Sequence, residues 1–405
     1  MHDEDRNLRL YPLYTLAFNC YAWVPVFFLY FSENLPLASV LRLEALYYAA
    51  VVVLEVPSGY FSDRIGRRVT LLISALAMTL SYALFTVGGS FELFATAQIL
   101  LAVGISFKSG TDISFHYDAL AALGREGEFG AREARITRNN LLANGLASLA
   151  GGAVALIALR YAYALSFVAA FAGFIVVLFF KEPGGGQHLK ASGFFRQLRD
   201  CLACLRNPLL AWLFLYCIGM VVLDHIPYEL YQPYLEQLGA RADWLPQEGT
   251  PLTAGIVMAV GLFLGAPMAA YSITLRDKLG LKTTLLLATV VQTAVIAAMG
   301  WFLHPLVMVM FLMRNIPSAL KKAPLNAAIA PRVASSLRAT YLSLQSLAGR
   351  LSFSITLTGL SLMFTPGDHP DWPALSRISQ TSTVIGVALL VLLLVLIPFT
   401  RQKQD

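Results

Sequence analysis

The chain has 405 residues, 57% of them hydrophobic and 13% charged, with a mean hydropathy of +0.64. Such a composition excludes an ordinary water-soluble domain. The net charge of +6 calls for no nucleic-acid partner, because the basic residues sort by position between apolar segments.

Apolar stretches long enough to cross a hydrocarbon core of roughly 30 Å recur along the whole chain. Backbone groups in lipid must be paired within the segment, so each is read as a helix. Residues 1–9 are polar, and the first apolar run, 10–31, carries no small-residue cleavage site. That run is expected to serve as its own insertion signal. Further spans are expected at 41–61, 69–88, 91–120, 138–159 and 161–181. A second set is expected at 208–235, 251–275, 282–303, 305–329, 338–363 and 378–400. The predicted fold is therefore an all-α membrane protein of twelve transmembrane helices in two pseudo-symmetric six-helix bundles. Residues 1–181 form the first bundle, 182–207 a linker and 208–405 the second.

Loops on one predicted side collect Arg6, Arg9, Arg64, Arg67, Arg68, Arg125, Arg132, Arg135, Arg138, Lys181, Lys190, Arg196, Arg199 and Arg206. In the second half they collect Arg276, Lys278, Lys282, Lys322, Arg332, Arg338, Arg401 and Lys403, against Arg42, Arg160, Arg241 and Arg377 on the other side. This bias predicts that both termini are cytoplasmic. The linker opens with Pro183, Gly184, Gly185 and Gly186, a breaker. Phe194, Phe195, Leu198, Leu202 and Leu205 then recur at helical spacing among Arg196, Arg199 and Arg206, which predicts a helix lying in the membrane interface. Cys201 and Cys204 are read as two residues on one face of that helix.

Gly59-Tyr60-Phe61-Ser62-Asp63-Arg64-Ile65-Gly66-Arg67-Arg68 stands at the end of the second span. Glycine suits a tight turn between antiparallel helices, and Asp63 can take a guanidinium or backbone amides in charge-assisted bonds. The segment Asp277-Lys278-Leu279-Gly280-Leu281-Lys282, offset by 214 positions, is a degraded copy. The first pattern resembles the signature loop of the major facilitator superfamily. Leu54 to Gly59, Ser109-Gly110, Tyr117-Asp118 and Arg338 to Ser343 are similar to a bacterial branch of it.

The resemblance implies a secondary transporter in a bacterial inner membrane, working by alternating access on a small molecule. It also implies that Gly59, Asp63, Arg64, Gly66, Arg67 and Arg68 form a gating element, with Asp118 as the acid closing fourth-span contacts. Related drug exporters carry a fourth-span arginine followed by glycines, where this chain has Gln98 and then Gly104. Their fifth span shows Gly-Pro before paired glycines, where Ala147 and Ser148 precede Gly151 and Gly152.

Intramembrane charge is costly and marks function. Lys108, Asp112 and His116 fall at i, i+4 and i+8, and Arg314, Lys321, Arg350, Asp224, His225 and Glu229 lie within other spans. Lys108 with Asp112 reads either as an internal ion pair or as a pair that exchanges partners during coupling. Lys321 is expected to snorkel to the inner surface, and Arg350 to hold a carboxylate such as Asp224. Lys108, Arg314, Asn19, Asp224, Tyr228 and Tyr231 are the candidate substrate residues. The mid-depth cations outnumber the acids, which points to an anionic or zwitterionic solute. Tyr228, Tyr231, Tyr234 and Trp244 read either as an outer gate or as an aromatic belt. Asp112, His116, Glu55 and Glu229 are the candidate proton carriers.

No phosphate-binding loop, metal cluster or nucleophile–base motif occurs, so no cofactor, metal or enzymatic activity is expected. The expected partners are a solute and the lipid bilayer, with a monomer as the working unit. Two alternatives stay open: a multidrug or cation efflux antiporter, and a membrane sensor or scaffold that does not turn over.

Overall fold

A computed structural model describes residues 3–35, 37–183, 193–239, 251–361 and 372–400. Among them every regular element is helical. In the first half, α1 spans Asp3–Phe18, α2 Phe27–Asn34, α3 Leu37–Ile65, α4 Arg67–Val87, α5 Phe91–Lys108, α6 Thr111–Ala121, α7 Phe129–Ala155 and α8 Arg160–Leu178. The linker holds α9, Phe194–Ala203. The second half contains α10 Pro208–Gly239, α11 Pro251–Leu279, α12 Leu281–Trp301, α13 Pro305–Leu312, α14 Asn315–Ile329, α15 Ser335–Ser361 and α16 Trp372–Leu396.

Among the described residues, eight segments are long and apolar enough to cross a membrane: 42–65, 67–87, 91–121, 160–178, 208–227, 251–279, 281–301 and 372–396. The expected spans at 10–31, 138–159, 305–329 and 338–363 are outside this group. Two of them are interrupted, between Phe18 and Phe27 and at Met313–Arg314. The other two, within α7 and α15, carry polar faces with Arg138, Asn140, Asn144, Gln345 and Arg350. Polar stripes on membrane helices face a protein interior or a water-filled cavity.

The two largest buried clusters divide along the chain. One joins Tyr11, Phe31, Phe85, Phe94, Phe115 and Phe180, and the other joins Trp212, Tyr216, Leu285, Ile296, Tyr341 and Leu393. Across the halves α3 lies against α15 and α7 against α11. Small residues permit the second approach: a Cβ on Gly255 would stand 2.5 Å from the Ser148 carbonyl oxygen.

An internal repeat is visible in backbone detail. Gly66 at φ 123° precedes α4, and Gly280 at φ 82° precedes α12; both helices have 21 residues. Such angles favour glycine. Thr70 returns its Oγ1 to the Gly66 carbonyl at 2.7 Å, and Thr284 returns its own to Gly280 at 3.0 Å. Both pairs are offset by the 214 positions read from the sequence.

Candidate functional site

At the end of α3, Asp63 is the centre of a joint between the halves. Its carboxylate accepts from the backbone N–H groups of Ala339 at 3.2 Å and Thr340 at 2.9 Å, and from Thr340 Oγ1 at 2.6 Å. Arg67 Nη1 donates to Asp63 Oδ1 at 2.5 Å, to Ser62 Oγ at 3.0 Å, and through Nη2 to the Ser335 carbonyl at 2.5 Å. Arg67 also reaches Asp118 at 3.4 Å. Asp118 in turn accepts from Ser335 Oγ at 2.8 Å and is paired with Arg338. Close backbone approach makes this possible, because a Cβ on Gly59 would collide with Ser343 Oγ at 2.8 Å and the Ala339 carbonyl at 2.9 Å.

Two members of this joint, Gln197 and Glu182, carry no motif signal in the sequence. Gln197 on α9 is fully buried. It donates to Asp63 at 3.1 Å and Thr340 Oγ1 at 2.8 Å, and accepts from Arg64 Nε at 3.0 Å. Arg338 also donates to the carbonyls of Ala330 and Val333 and lies over the Tyr117 ring at 4.3 Å. Glu182 accepts from the first backbone N–H groups of α4, those of Arg67 at 2.7 Å and Arg68 at 2.9 Å, where a carboxylate meets the positive helix terminus. The linker helix thus turns Gln197 and Cys201 inward, while Phe195 and Leu202 remain exposed. The signal that would have found Gln197 is its four-residue spacing from Cys201 on the face opposite the arginines.

A polar cleft of about 100 Å³, room for about three waters, opens between the end of α1, α7 and α14. It is lined by Asn19, Thr137, Asn140, Leu141, Asn144, Ser318, Ala319 and Lys322. Thr137 Oγ1, Asn140 Oδ1 and Asn144 Oδ1 are buried without hydrogen-bond partners. Lys322 belongs to this cleft and not to a loop, which corrects its place in the charge-sorting scheme. It is accessible to water in the cleft and close enough to Lys108, Asp112 and Glu133 to feel their charges. Among the described residues it has no hydrogen bond or ion pair.

Several of the other nominated residues are taken up in ion pairs. Lys108 binds Asp112 at 2.7 Å and sits over the Phe18 ring at 4.8 Å. The continuous stripe expected through His116 is broken: α5 ends at Lys108, and Gly110 at φ 70° starts α6 on a new course. His116 instead meets Glu133 of α7 at 2.7 Å. Asp224 is paired with Lys321 rather than Arg350, so Lys321 points into the bundle and does not snorkel. Arg350 rests near Ser346, 3.5 Å from its Oγ. Glu55, fully buried, accepts from Ser109 Oγ at 2.5 Å. Arg314 occupies the break between α13 and α14, with its guanidinium 4.6 Å from the Phe311 ring centroid. Asn19 donates to the Thr15 carbonyl at 2.6 Å.

Tyr228, Glu229 and Tyr231 lie on α10, but their side chains, and the whole of Trp244, fall outside the described residues, as do Gly184–Gly186, Lys190, Arg241, Arg401 and Lys403. Tyr234 donates to the Phe302 carbonyl at 2.7 Å. Cys201 and Cys204 are free thiols.

Comparison with known proteins returns one family model, described as Major Facilitator Superfamily, over residues 13–357. No curated protein sequence matches the chain. Among solved structures, the human organic anion transporter MFSD10 (TETRAN) is similar at 15% identity and a TM-score of 0.70. The match covers 97% of this chain and all of that one. The nucleoside transporter NupG, as a D323A mutant, is similar at 14% identity and a TM-score of 0.66, with the same coverage. At these identities the likeness is one of fold.

Proposed function

Because this chain belongs to the major facilitator superfamily, we propose that it is a secondary active transporter of a small anionic or zwitterionic organic solute, coupled to protons and working by alternating access. The reading takes twelve spans in two bundles, with both termini on the cytoplasmic side of a bacterial inner membrane and a monomer as the unit. The Asp63–Arg67–Asp118 joint is then the cytoplasmic gate, closed in the state described.

One observation carries the substrate class: among the described residues Lys322 stands in a polar cleft without an ion-pair or hydrogen-bond partner, beside oxygens of Thr137, Asn140 and Asn144 that lack donors. A water-accessible ammonium in such a cleft is a ready partner for an anionic group that enters it. A solute bearing a carboxylate or phosphate together with N–H or O–H groups satisfies both the lysine and the orphaned oxygens. Lys108, 2.7 Å from Asp112, supplies a second cation when the solute displaces that carboxylate. The efflux reading for cations has no acid without a partner in this cleft to support it.

Thermal-shift screening of the purified protein against anionic, zwitterionic and cationic panels at two pH values tests the proposal, since a ligand at 100 times its Kd adds about 2.7 kcal/mol of stability. Stabilisation by anions that disappears in Lys322→Ala supports it. Stabilisation by cations alone, unaffected by that substitution, refutes it.

A further inference from the structure

In the sequence Glu133 sits among the arginines of an expected loop, between Arg132 and Arg135. In the structure it is 3% exposed and inside α7, and His116 of α6 is 1% exposed. The His116 Nδ1 and Glu133 Oε1 are 2.7 Å apart, a separation that holds a proton between them. Oε2, the other oxygen of Glu133, accepts from Asn326 Nδ2 at 3.3 Å. His116 and Glu133 belong to the first half and Asn326 to the second, so this buried cluster spans the boundary that must part when the two halves separate.

Its position is a floor between two places already described. On α7, Thr137 of the cleft lies one turn from Glu133; on α14, Lys322 of the cleft lies one turn from Asn326. In the opposite direction, Asp118 of the joint is two residues from His116. The surroundings are closed by rings: Tyr11 of α1 stacks on the imidazole at 4.4 Å, and Phe129 of α7 stands 5.4 Å away. The charged neighbours are Lys322 from α14, which interacts with Glu133, and Asp112 from α6, which shares Tyr11 and Lys322 as neighbours with Glu133. Tyr14 is the other titratable neighbour on the α1 side.

We infer that His116 and Glu133 form a proton-binding site at the floor of the cleft, and that Asn326 ties the occupancy of that site to whether the halves are joined. While they are joined, the pair is dry and Asn326 donates to the carboxylate. When they part, that donor leaves and water takes its place, so the affinity of the pair for a proton differs between the two states. By linkage, proton binding must then shift the balance of the states by the same factor. No bond other than the N–H or O–H of the transferred proton is made or broken. The inference rests on the alternating-access reading but needs no knowledge of the solute.

The measurement is a distance distribution between spin labels at Gly127→Cys and Arg332→Cys, in the full chain with its four native cysteines replaced by serine, held in nanodiscs without solute. Both positions are exposed at the joined end, and a Cβ at residue 127 meets nothing within 4 Å. Between pH 5 and pH 8 the ratio of joined to parted populations should change by about fivefold or more. In His116→Gln and Glu133→Gln that change should vanish. Should either variant fail to fold, Asn326→Ala, which leaves the pair intact, should reduce the change to less than half. A parent protein with no pH response, or variants with the parent's response, overturns the inference. Solute flux in liposomes is read separately: flux without the pH response sinks this inference alone, and the pH response without flux for any solute sinks the transport reading alone.

Discussion

Asp63 and Thr340 are 277 residues apart in sequence, yet the Asp63 carboxylate accepts from both the backbone N–H and the hydroxyl of Thr340, at 2.9 and 2.6 Å. A loop that by its composition only turns the chain between two helices therefore holds one half of the molecule to the other. Hydrogen bonds to a charged group contribute about 1.5–3 kcal/mol each. Asp63→Asn keeps the shape of the side chain and removes the charge from five donors that face it. The joined population should fall by about one to two orders of magnitude relative to the parted one. Labels at residues 127 and 332 measure it, and an unchanged distance distribution would show that Asp63 does not hold the joint.

Thr340→Val separates the side-chain contribution from the backbone one. Loss of the hydroxyl removes one bond to Asp63 and one to Gln197 and leaves the backbone N–H in place. The effect on the same population should be smaller, about 3- to 30-fold. A larger effect than that of Asp63→Asn would place the anchor on α9 instead of on the aspartate.

The linker helix offers a chemical readout. Burial pushes the Cys201 thiol above its usual value, with the nearby Asp63 carboxylate adding to the effect, and its Sγ lies 3.7 Å from the Leu337 carbonyl. The thiolate is the reactive form, so Cys201 in a Cys204→Ser background should be alkylated slowly at neutral pH. Because the raised value comes from packing under α9, the rate should rise when Asp63→Asn or Gln197→Ala loosens the joint. Mass spectrometry of maleimide-treated protein measures it. Equal rates in parent and variants would mean that α9 stays docked whatever the joint does.

Much of this architecture is legible in the chain because the membrane imposes one rule everywhere: backbone groups in lipid pair within helices, and helices there are apolar. That rule reads α4, α8, α12 and α16 with little ambiguity. The rule weakens where helices face one another, and α7 is the clearest case, since its Glu133, Thr137, Asn140 and Asn144 look like a loop followed by a mediocre span. Spacing also misleads where a helix breaks. Lys108, Asp112 and His116 form a stripe on paper, and Gly110 ends that stripe in three dimensions. Asp63, Arg67 and Asp118 are recognisable because the pattern around the turn is dense. Gln197 and Glu182 are not, because each is an ordinary polar residue whose role is set by a helix that only tertiary packing brings near.

Lys322 supplies the test of the cleft. Removal of its ammonium should weaken an anionic solute by about 10- to 100-fold, the range of a charge-assisted hydrogen bond. Lys322→Arg retains the charge with a different reach, so it should recover part of the affinity. Calorimetry with the ligand found by screening decides between the two. Equal affinity in the parent and Lys322→Ala would move the anion site elsewhere, with Arg314 at the α13–α14 break the next group to remove.

Asp224 and Lys321 form the last pair whose assignment changed between sequence and structure. They join α10 to α14 within the second half, their side chains 23% and 13% exposed, and Asp224 Oδ1 has no hydrogen-bond partner. Breaking such a pair strands a charge away from water, at a cost of about 3–5 kcal/mol, whereas replacing both members by uncharged residues is close to neutral. Lys321→Met alone should lower the melting temperature markedly, and Asp224→Asn with Lys321→Met should restore most of it. Additive losses in that double-mutant cycle would show that the two side chains do not act on one another. A restored melting temperature combined with retained flux would assign the pair to structure, and restored stability with lost flux would assign it to the transport cycle.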